Sequence, residues 1–363
     1  MANVTPIARN AVDKMMVELS KGKQQLIPGK VTNIEHRTAQ TIEDKVQQSN
    51  AFLSQVNNIA VTEIKGDILA LDTPAYITKR TTTAGADGSK RRASDPTALL
   101  QRNYECKEIE QDSVITWDKI DAWAHLPDFY NRFRAAVLFA QGRDRLQVMW
   151  NGQTSAPDTS DPELRDVNEG FFAYMMRVLP ENVLGLNPDK SVNKIKVDAS
   201  DPDADFKTLD EIVYHLRHEL LHKLFRHRTD LRVLVGDDLL VHANASLLGA
   251  SSIGQATERV ATNLLLNSQA FGATDLVKSD QFPSRGLFLS SPKNLSRYWQ
   301  SSSYRRKVSD DDHRYKGVVD YLFVRECFVA EAAEGCACVH PDSLQLKING
   351  EWTDASDVWA IVT

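Results

Sequence analysis

The sequence predicts an α+β fold, and three stretches carry that prediction. From Arg102 to Gly152 a strand pattern, with Tyr104, Cys106 and Glu108 alternating before Val114, Ile115, Thr116 and Trp117, passes into one long helical register. In that register Phe129, Phe133, Ala136, Val137 and Ala140, then Leu146, Met149 and Trp150, recur every three or four residues. Around Thr208 a helix, a strand and a second helix follow one another, and from Gly286 onward the pattern returns to strand. A strand feeding so long a helix suits a stiff strut better than a small enzyme.

Taken in order, residues 1–30 mix polar, basic and apolar positions and end in Ile27-Pro28-Gly29-Lys30, whose Pro-Gly pair breaks regular structure. From Thr38 to Val56, Ile42, Val46, Phe52, Leu53 and Val56 predict an amphipathic helix. Residues 59–82 alternate as strand. The segment Thr81 to Ser94, TTTAGADGSKRRAS, has no apolar residue larger than Ala and reads as the tip of a long hairpin. Asp161-Pro162-Glu163 predicts a helix start, with an acid at the N-cap and Pro in the first turn, and Pro180 ends that helix. Thr208-Leu209-Asp210-Glu211 is a capping box opening a helix to about His227. Leu231–Val235 predicts a strand, followed by Gly236-Asp237 and another helix. Strands are expected at 287–289, 295–299, 304–308 and 318–329, with Asp310-Asp311-Asp312 as a hairpin turn.

The chain has 363 residues, 42% hydrophobic and 25% charged, ordinary for a globular protein. No apolar run approaches the ~20 residues of a membrane helix, and the charged N-terminus does not read as a secretory signal. Net charge is −6, which argues against a protein that coats nucleic acid through a basic surface. The four cysteines, Cys106, Cys327, Cys336 and Cys338, form no CxxC, so a reduced, cytosolic folding compartment is the simplest reading. Cys336 and Cys338 fall on one strand face, as core or interface residues rather than a redox pair.

One motif points to chemistry. His218-Glu219-Leu220-Leu221-His222 is a literal HExxH, which on a helix would hold zinc through two histidines and polarise water with Glu219. The apolar face of that helix is Leu209, Ile212, Val213, Leu216, Leu220 and Leu224, so His215, His218 and His222 fall on the solvated side. A third ligand is poorly supplied: His227 stands five residues after His222, and Glu258 is the only distant carboxylate in prospect. The motif reads as a decoy, a surface cluster able to take up nickel or zinc adventitiously, and zinc metallopeptidase is the alternative function. Asp201, Asp203 and Asp205 begin like a calcium loop, but Phe206 and Ile212 stand where Gly and Glu are needed. Neither GxSxG nor a glycine-rich phosphate loop occurs. No cofactor is therefore expected.

Several collinear segments carry a resemblance. Tyr104-Glu105-Cys106 leads to Ile120-Asp121-Ala122-Trp123-Ala124, then Asp128-Phe129, Arg132-Phe133-Arg134 and Trp150-Asn151-Gly152. Upstream lies Thr83-Ala84-Gly85. Downstream come Thr159-Ser160-Asp161-Pro162, Asp166-Val167-Asn168 with Gly170, the strand Asp230 to Gly236, Asn294 to Tyr298, Arg305-Arg306 and Val319-Asp320-Tyr321. In order and spacing these segments resemble the major capsid proteins of P2-like tailed phages, weakest at about 180–205 and 240–285. The resemblance implies an HK97-type fold: an N-terminal arm, an extended β-hairpin loop, a long spine helix, a β-rich peripheral domain and an α/β axial domain. It implies a division into residues 1–30 (arm, processed), 31–58 (amphipathic helix of the arm), 59–117 (extended loop and flanking strands), 118–204 (spine helix and peripheral domain), 205–285 (axial domain) and 286–363 (peripheral strands and C-terminus).

The implied function is structural, with no turnover. Copies assemble in the host cytoplasm as hexamers and pentamers of an icosahedral head, with an internal scaffold and protease and a portal, and enclose double-stranded DNA without sequence-specific binding. Membranes are not implied. Thr83, Gly85, Lys90, Arg91 and Arg92 become the assembly loop. Pro28, Gly29, Lys30 and Val31 become the processing region, ahead of which the arm is net basic.

Overall fold

The computed structural model describes residues 31–34, 36–72, 78, 98–123, 129–243, 270–311, 314–348 and 350–355. A two-residue strand β1 (Thr32–Asn33) leads to helix α1 (His36–Gln48), which buries Ala39, Glu43 and Val46 at helical spacing. The helix is shorter than its apolar spacing suggests. Ser49 donates its hydroxyl to the Val46 carbonyl at 2.6 Å and Asn50 accepts the Phe52 N–H, so the chain turns out of the helix. A 3-10 turn at Leu53–Gln55 then carries Phe52, Leu53 and Val56 into the core.

Strand β2 (Asn57–Val61) is followed by a hairpin, β3 (Lys65–Asp72) and β4 (Ala98–Glu105), in register from Lys65 opposite Glu105 to Asp72 opposite Ala98. The chain between these strands holds Thr83, Gly85, Lys90, Arg91 and Arg92, which lie outside the described residues, as do residues 1–30 with Pro28, Gly29 and Lys30. Val31 is exposed at the start of β1. Next come β5 (Lys107–Glu110), β6 (Ser113–Thr116), helix α2 (Trp117–Trp123) and the 23-residue helix α3 (Phe129–Asn151).

Gly152 closes α3 because its Cα lies against backbone: a Cβ there would sit 2.1 Å from the Asn168 carbonyl oxygen. Gly170, whose N–H bonds the Gly152 carbonyl, is the N-cap of α4 (Phe171–Val178). The helix predicted from Asp161 thus begins later. The Asp161 carboxylate takes the Arg165 guanidinium at 2.6 Å and the Glu163 N–H, Leu164 has a positive φ, and Asp166 accepts the N–H groups of Ser160 and Asp161. The segment is an Asx-type loop, and α4 ends before Pro180 as predicted.

Two short strands, β7 (Val183–Leu184) and β8 (Ile195–Val197), precede α5 (Leu209–His215). The capping box forms: Thr208 accepts the Glu211 N–H, and the Glu211 carboxylate reaches back to the Lys207 N–H. After α5 a single π turn, Leu216–Leu220, ends the helical run at Leu221 rather than at about His227. The remaining strands are β9 (Arg232–Val235), β10 (Ala270–Phe271), β11 (Thr274–Leu276), β12 (Leu287–Ser290), β13 (Leu295–Gln300), β14 (Arg305–Asp311), β15 (Gly317–Ala330), β16 (Ala337–Val339), β17 (Leu344–Ile348) and β18 (Glu351–Thr353). Asp310 and Asp311 pair with Val318 and Gly317 inside the β14–β15 ladder, so the hairpin turn falls after them. Helix also resumes after β9 at 237–243.

The fourteen-residue β15 is the axis of a seven-stranded sheet. It pairs with β6 and β5 along one edge and with β14 and β13 along the other, while β1 extends β14 and β2 runs parallel to β13. A second sheet has the order β10-β11-β9-β12-β16-β7. Its central strands are apolar on both faces. Leu234, Phe288 and Cys338 point into one core with Trp150, Phe171 and Phe328; Val233, Val235, Leu287, Leu289, Ala337 and Val339 point into another with Ile212, Leu216 and Leu344. Two-sided burial is why these strands read as continuous apolar runs and not as alternation.

Candidate functional site

Three places in the fold stand out: a buried charged junction, an anchored hairpin and a helix that is only partly covered. At the junction, α1 supplies Glu43, α3 Arg145, β13 Arg297 and β15 Glu326, all with at most 2% of their surface exposed. Glu43 accepts from Arg297 at 2.6 Å and pairs with Arg145 at 3.0 Å. Arg297 also engages Glu326 and donates to Asn58 on β2 at 3.0 Å. Two cations and two anions balance in a site closed to water. Burial works to raise the Glu43 carboxyl, but Arg145 and Arg297 outweigh it and hold it below the usual range. Charges buried this way add specificity to the docking of α1, because any register that separated them would strand an ion.

The hairpin is anchored at its root. Arg102 of β4 pairs with Glu334, the Tyr104 ring meets Tyr298 edge-on at 5.1 Å, and Tyr298 donates its hydroxyl to Glu331 at 2.8 Å. Cys106, where β4 bends into β5, gives its N–H to the Ile64 carbonyl and lies 3.6 Å, sulfur to sulfur, from Cys327 on β15. A groove of about 760 Å³ opens beside this root, with Tyr104, Lys107, Arg177 and Cys327 in its walls.

Helix α3 changes character along its length. Arg145, Leu146, Val148, Met149 and Trp150 are buried, with Trp150 ringed by Phe52, Phe171, Phe282 and Phe288 at centroid distances of 4.9–5.6 Å. From Asn131 to Gln141 no side chain is fully buried, and Phe139 is 56% exposed.

The HExxH residues are not brought together as a zinc site requires. His218 lies in the π turn with its ring 4.2 Å from that of Tyr214, whereas Leu221 is extended and His222 lies beyond the helix, exposed. The break has a cause: Arg226 takes the Leu221 carbonyl at 2.8 Å and Arg217 takes the Arg226 carbonyl at 2.7 Å, replacing helical bonds with side-chain ones. The extra residue of the π turn also moves the apolar face. Leu221 is fully buried where Leu220 was expected, and Leu224 is exposed. Asp201 pairs with Lys347, and Asp205 accepts the Lys196 N–H. Among the described residues no group of three or more His, Cys, Asp or Glu is arranged to hold a metal ion, and no helix is long and apolar enough to cross a membrane.

Sequence reasoning missed the junction altogether. Its signal was available: Glu43 falls between Ala39 and Val46 on the apolar face of α1, and Arg145 adjoins Leu146 and Met149 on that of α3. A charge at an apolar register position signals a buried partner.

Over residues 13–341 the sequence matches the family described as phage major capsid protein, P2 family. It is 27% identical over 309 residues to "Capsid proteins" of Escherichia phage P2, covering 84% of this chain and 85% of that protein. It is 26% identical over 306 residues to the major capsid protein of Serratia phage KSP20, covering 80% and 83%. Among solved structures, a chain of the satellite phage P4 procapsid including size determination (Sid) protein superposes with a TM-score of 0.70 at 24% identity, over 93% of this chain and 98% of that one. The fold is the HK97-type capsid fold that the resemblance implied. The strut, the anchored hairpin and the sequence match converge, and the chain belongs to the P2 family of phage major capsid proteins, the subunits of an icosahedral phage head.

Proposed function

We propose that this subunit forms the hexamers and pentamers of a tailed-phage head, assembles in the host cytoplasm on an internal scaffold and protease together with a portal, and encloses double-stranded DNA without sequence-specific contacts. The observation that carries this reading is the partly open half of α3, whose Phe139 is 56% exposed in a single chain that buries the other half completely enough to shield Trp150. A large ring left open on a rigid helix, beside half-buried Val137 and Leu138, is a surface that another copy can cover. The acidic balance of the chain, −6, fits a container wall that must not trap the DNA it encloses.

Within this proposal the stretch that joins β3 to β4, with Thr83, Gly85, Lys90, Arg91 and Arg92, is the assembly loop lying on a neighbour. Processing falls at Pro28 to Val31, where the chain enters β1. The division at residues 30, 58, 117, 204 and 285 separates arm, arm helix, extended loop, spine with peripheral domain, axial domain and peripheral strands. Electron microscopy of the protein, expressed with and without its scaffold, tests the proposal. Closed shells or capsomers with six- and five-fold symmetry are expected, and a protein that stays monomeric in both preparations would sink it.

A further inference from the structure

We propose that Cys106 and Cys327 are a latent intrachain cross-link that closes on exposure to a peroxide and staples the root of the β3–β4 hairpin to β15. Strands β5 and β15 pair antiparallel, with Lys107 opposite Glu326 and Glu108 opposite Arg325. Continuing that ladder by one step sets Cys106 opposite Cys327. The Cys106 N–H bonds the Ile64 carbonyl and not the opposite strand, the arrangement of a non-hydrogen-bonded pair, in which facing side chains come closest. Their sulfurs are 3.6 Å apart, and both residues are buried, at 3% and 6% exposure. Two facing Cβ atoms in such a pair fall in the range that a disulfide spans without moving the backbone.

The two thiols are not equivalent. Cys327 contributes to the wall of the groove beside the hairpin root, whereas Cys106 lies behind it and shares its thiol with the Tyr298 carbonyl. The mutual hydrogen bond and burial hold the Cys327 thiol far above the ordinary thiol range, so thiolate is scarce, the pair stays reduced during folding, and the cross-link closes slowly, under sustained exposure to peroxide. A small neutral oxidant fits the groove. The Cys327 sulfur, giving up its proton, attacks one oxygen of hydrogen peroxide; an S–O bond forms, the O–O bond breaks, and hydroxide leaves and takes a proton as water. Cys106 then attacks the resulting sulfenic sulfur; the S–S bond forms, the S–O bond breaks, and a second water carries off the Cys106 proton. Two thiols lose two electrons and two protons, and the peroxide becomes two waters.

The other two cysteines provide an internal comparison. Cys336, just before β16, and Cys338 within it are fully buried two residues apart, and Cys336 is held by Ser290 and Asn294 at 3.2 Å each. Residues two apart in extended chain have Cα atoms about 6.6 Å apart, at the outer limit of what a disulfide spans, whereas the facing pair is closer.

The test treats the full-length protein with hydrogen peroxide, then maps peptides by mass spectrometry without reduction and repeats the thermal melt. The expected product is a Cys106–Cys327 peptide, lighter by two hydrogen atoms and reversed by dithiothreitol, with Cys336 and Cys338 still free. The bond joins positions 221 residues apart, so the melting midpoint should rise by roughly 5 °C. In Cys106→Ser, Cys327 should stop at sulfenic or sulfinic acid and the midpoint should not rise. Peroxide that leaves both thiols free, over-oxidises Cys327 in the parent without a cross-link, or links different chains or other cysteines would overturn the proposal. The mapping of the parent decides the matter even if the variant folds poorly.

Discussion

Between Gly142 and Trp150, α3 is packed on every turn, whereas from Asn131 to Gln141 the same helix leaves every side chain at least partly open. The boundary has a physical marker. At Gly142 the end of α1 crosses over α3 so closely that a Cβ would sit 2.4 Å from the Ser49 hydroxyl. Beyond that crossing the helix is covered only in part: Phe133, Val137 and Ala140 are half-buried, and Phe139 is exposed. Yet the apolar spacing runs through both halves without change: Phe133, Val137 and Ala140 are as regular as Leu146, Met149 and Trp150. Periodicity reports that a face is meant to be covered; it does not say whether the cover is the same chain or another copy.

Three substitutions sharpen the contrast, in falling order of their effect on the isolated subunit. Trp150→Ala empties a site walled by four aromatic rings and should cost about 4 kcal/mol, read as a lower denaturant midpoint. A loss below about 1 kcal/mol would mean that the packed half is not the structural anchor described here.

Glu43→Gln leaves two buried guanidinium groups facing one carboxylate and should cost about 3 kcal/mol. This effect depends on pH with a definite sign. The Glu43 carboxyl titrates below its ordinary 4.5 when folded, so its contribution is complete above that pH and drains away as the pH falls through the lower folded value. The variant should therefore show a flatter acid limb in a plot of stability against pH. Parallel acid limbs in parent and variant would remove Glu43 from the account.

Phe139→Ser should change subunit stability by less than about 0.5 kcal/mol, since most of that ring already meets solvent. It should nevertheless reduce the yield of shells sharply, scored by sedimentation and microscopy. If shells form normally, the open half of α3 is not an assembly surface.

Much of the fold was legible in the sequence because local rules agreed with the global one. The Thr208–Glu211 box, the stop before Pro180, the long helix to Gly152 and the late strands all stand where periodicity and capping place them. The helix errors share a cause: side chains a few residues away whose hydrogen bonds redirect the chain. Arg226 ends the π turn at Leu221, and Arg165 with Asp166 makes a loop of what reads as a helix start. The HExxH pattern fails for the same reason, because a motif five residues long presumes a continuous helix beneath it. The junction was invisible for a different one. Its four charges come from residues as far apart as 43 and 326, and they meet only once the strands and helices have packed.

The six-stranded sheet has a mechanical consequence. Along β9, β12 and β16, successive side chains serve opposite cores, so the two apolar bodies are separated by a wall one backbone thick. Such a wall leaves no plane along which the bodies could slide or swing apart: moving one core drags every second residue of the other. Among the described residues the two cores are thus coupled through one sheet, and packed cores shift between discrete arrangements instead of flexing. We therefore expect curvature in an assembled head to come from the angle between copies rather than from bending within one.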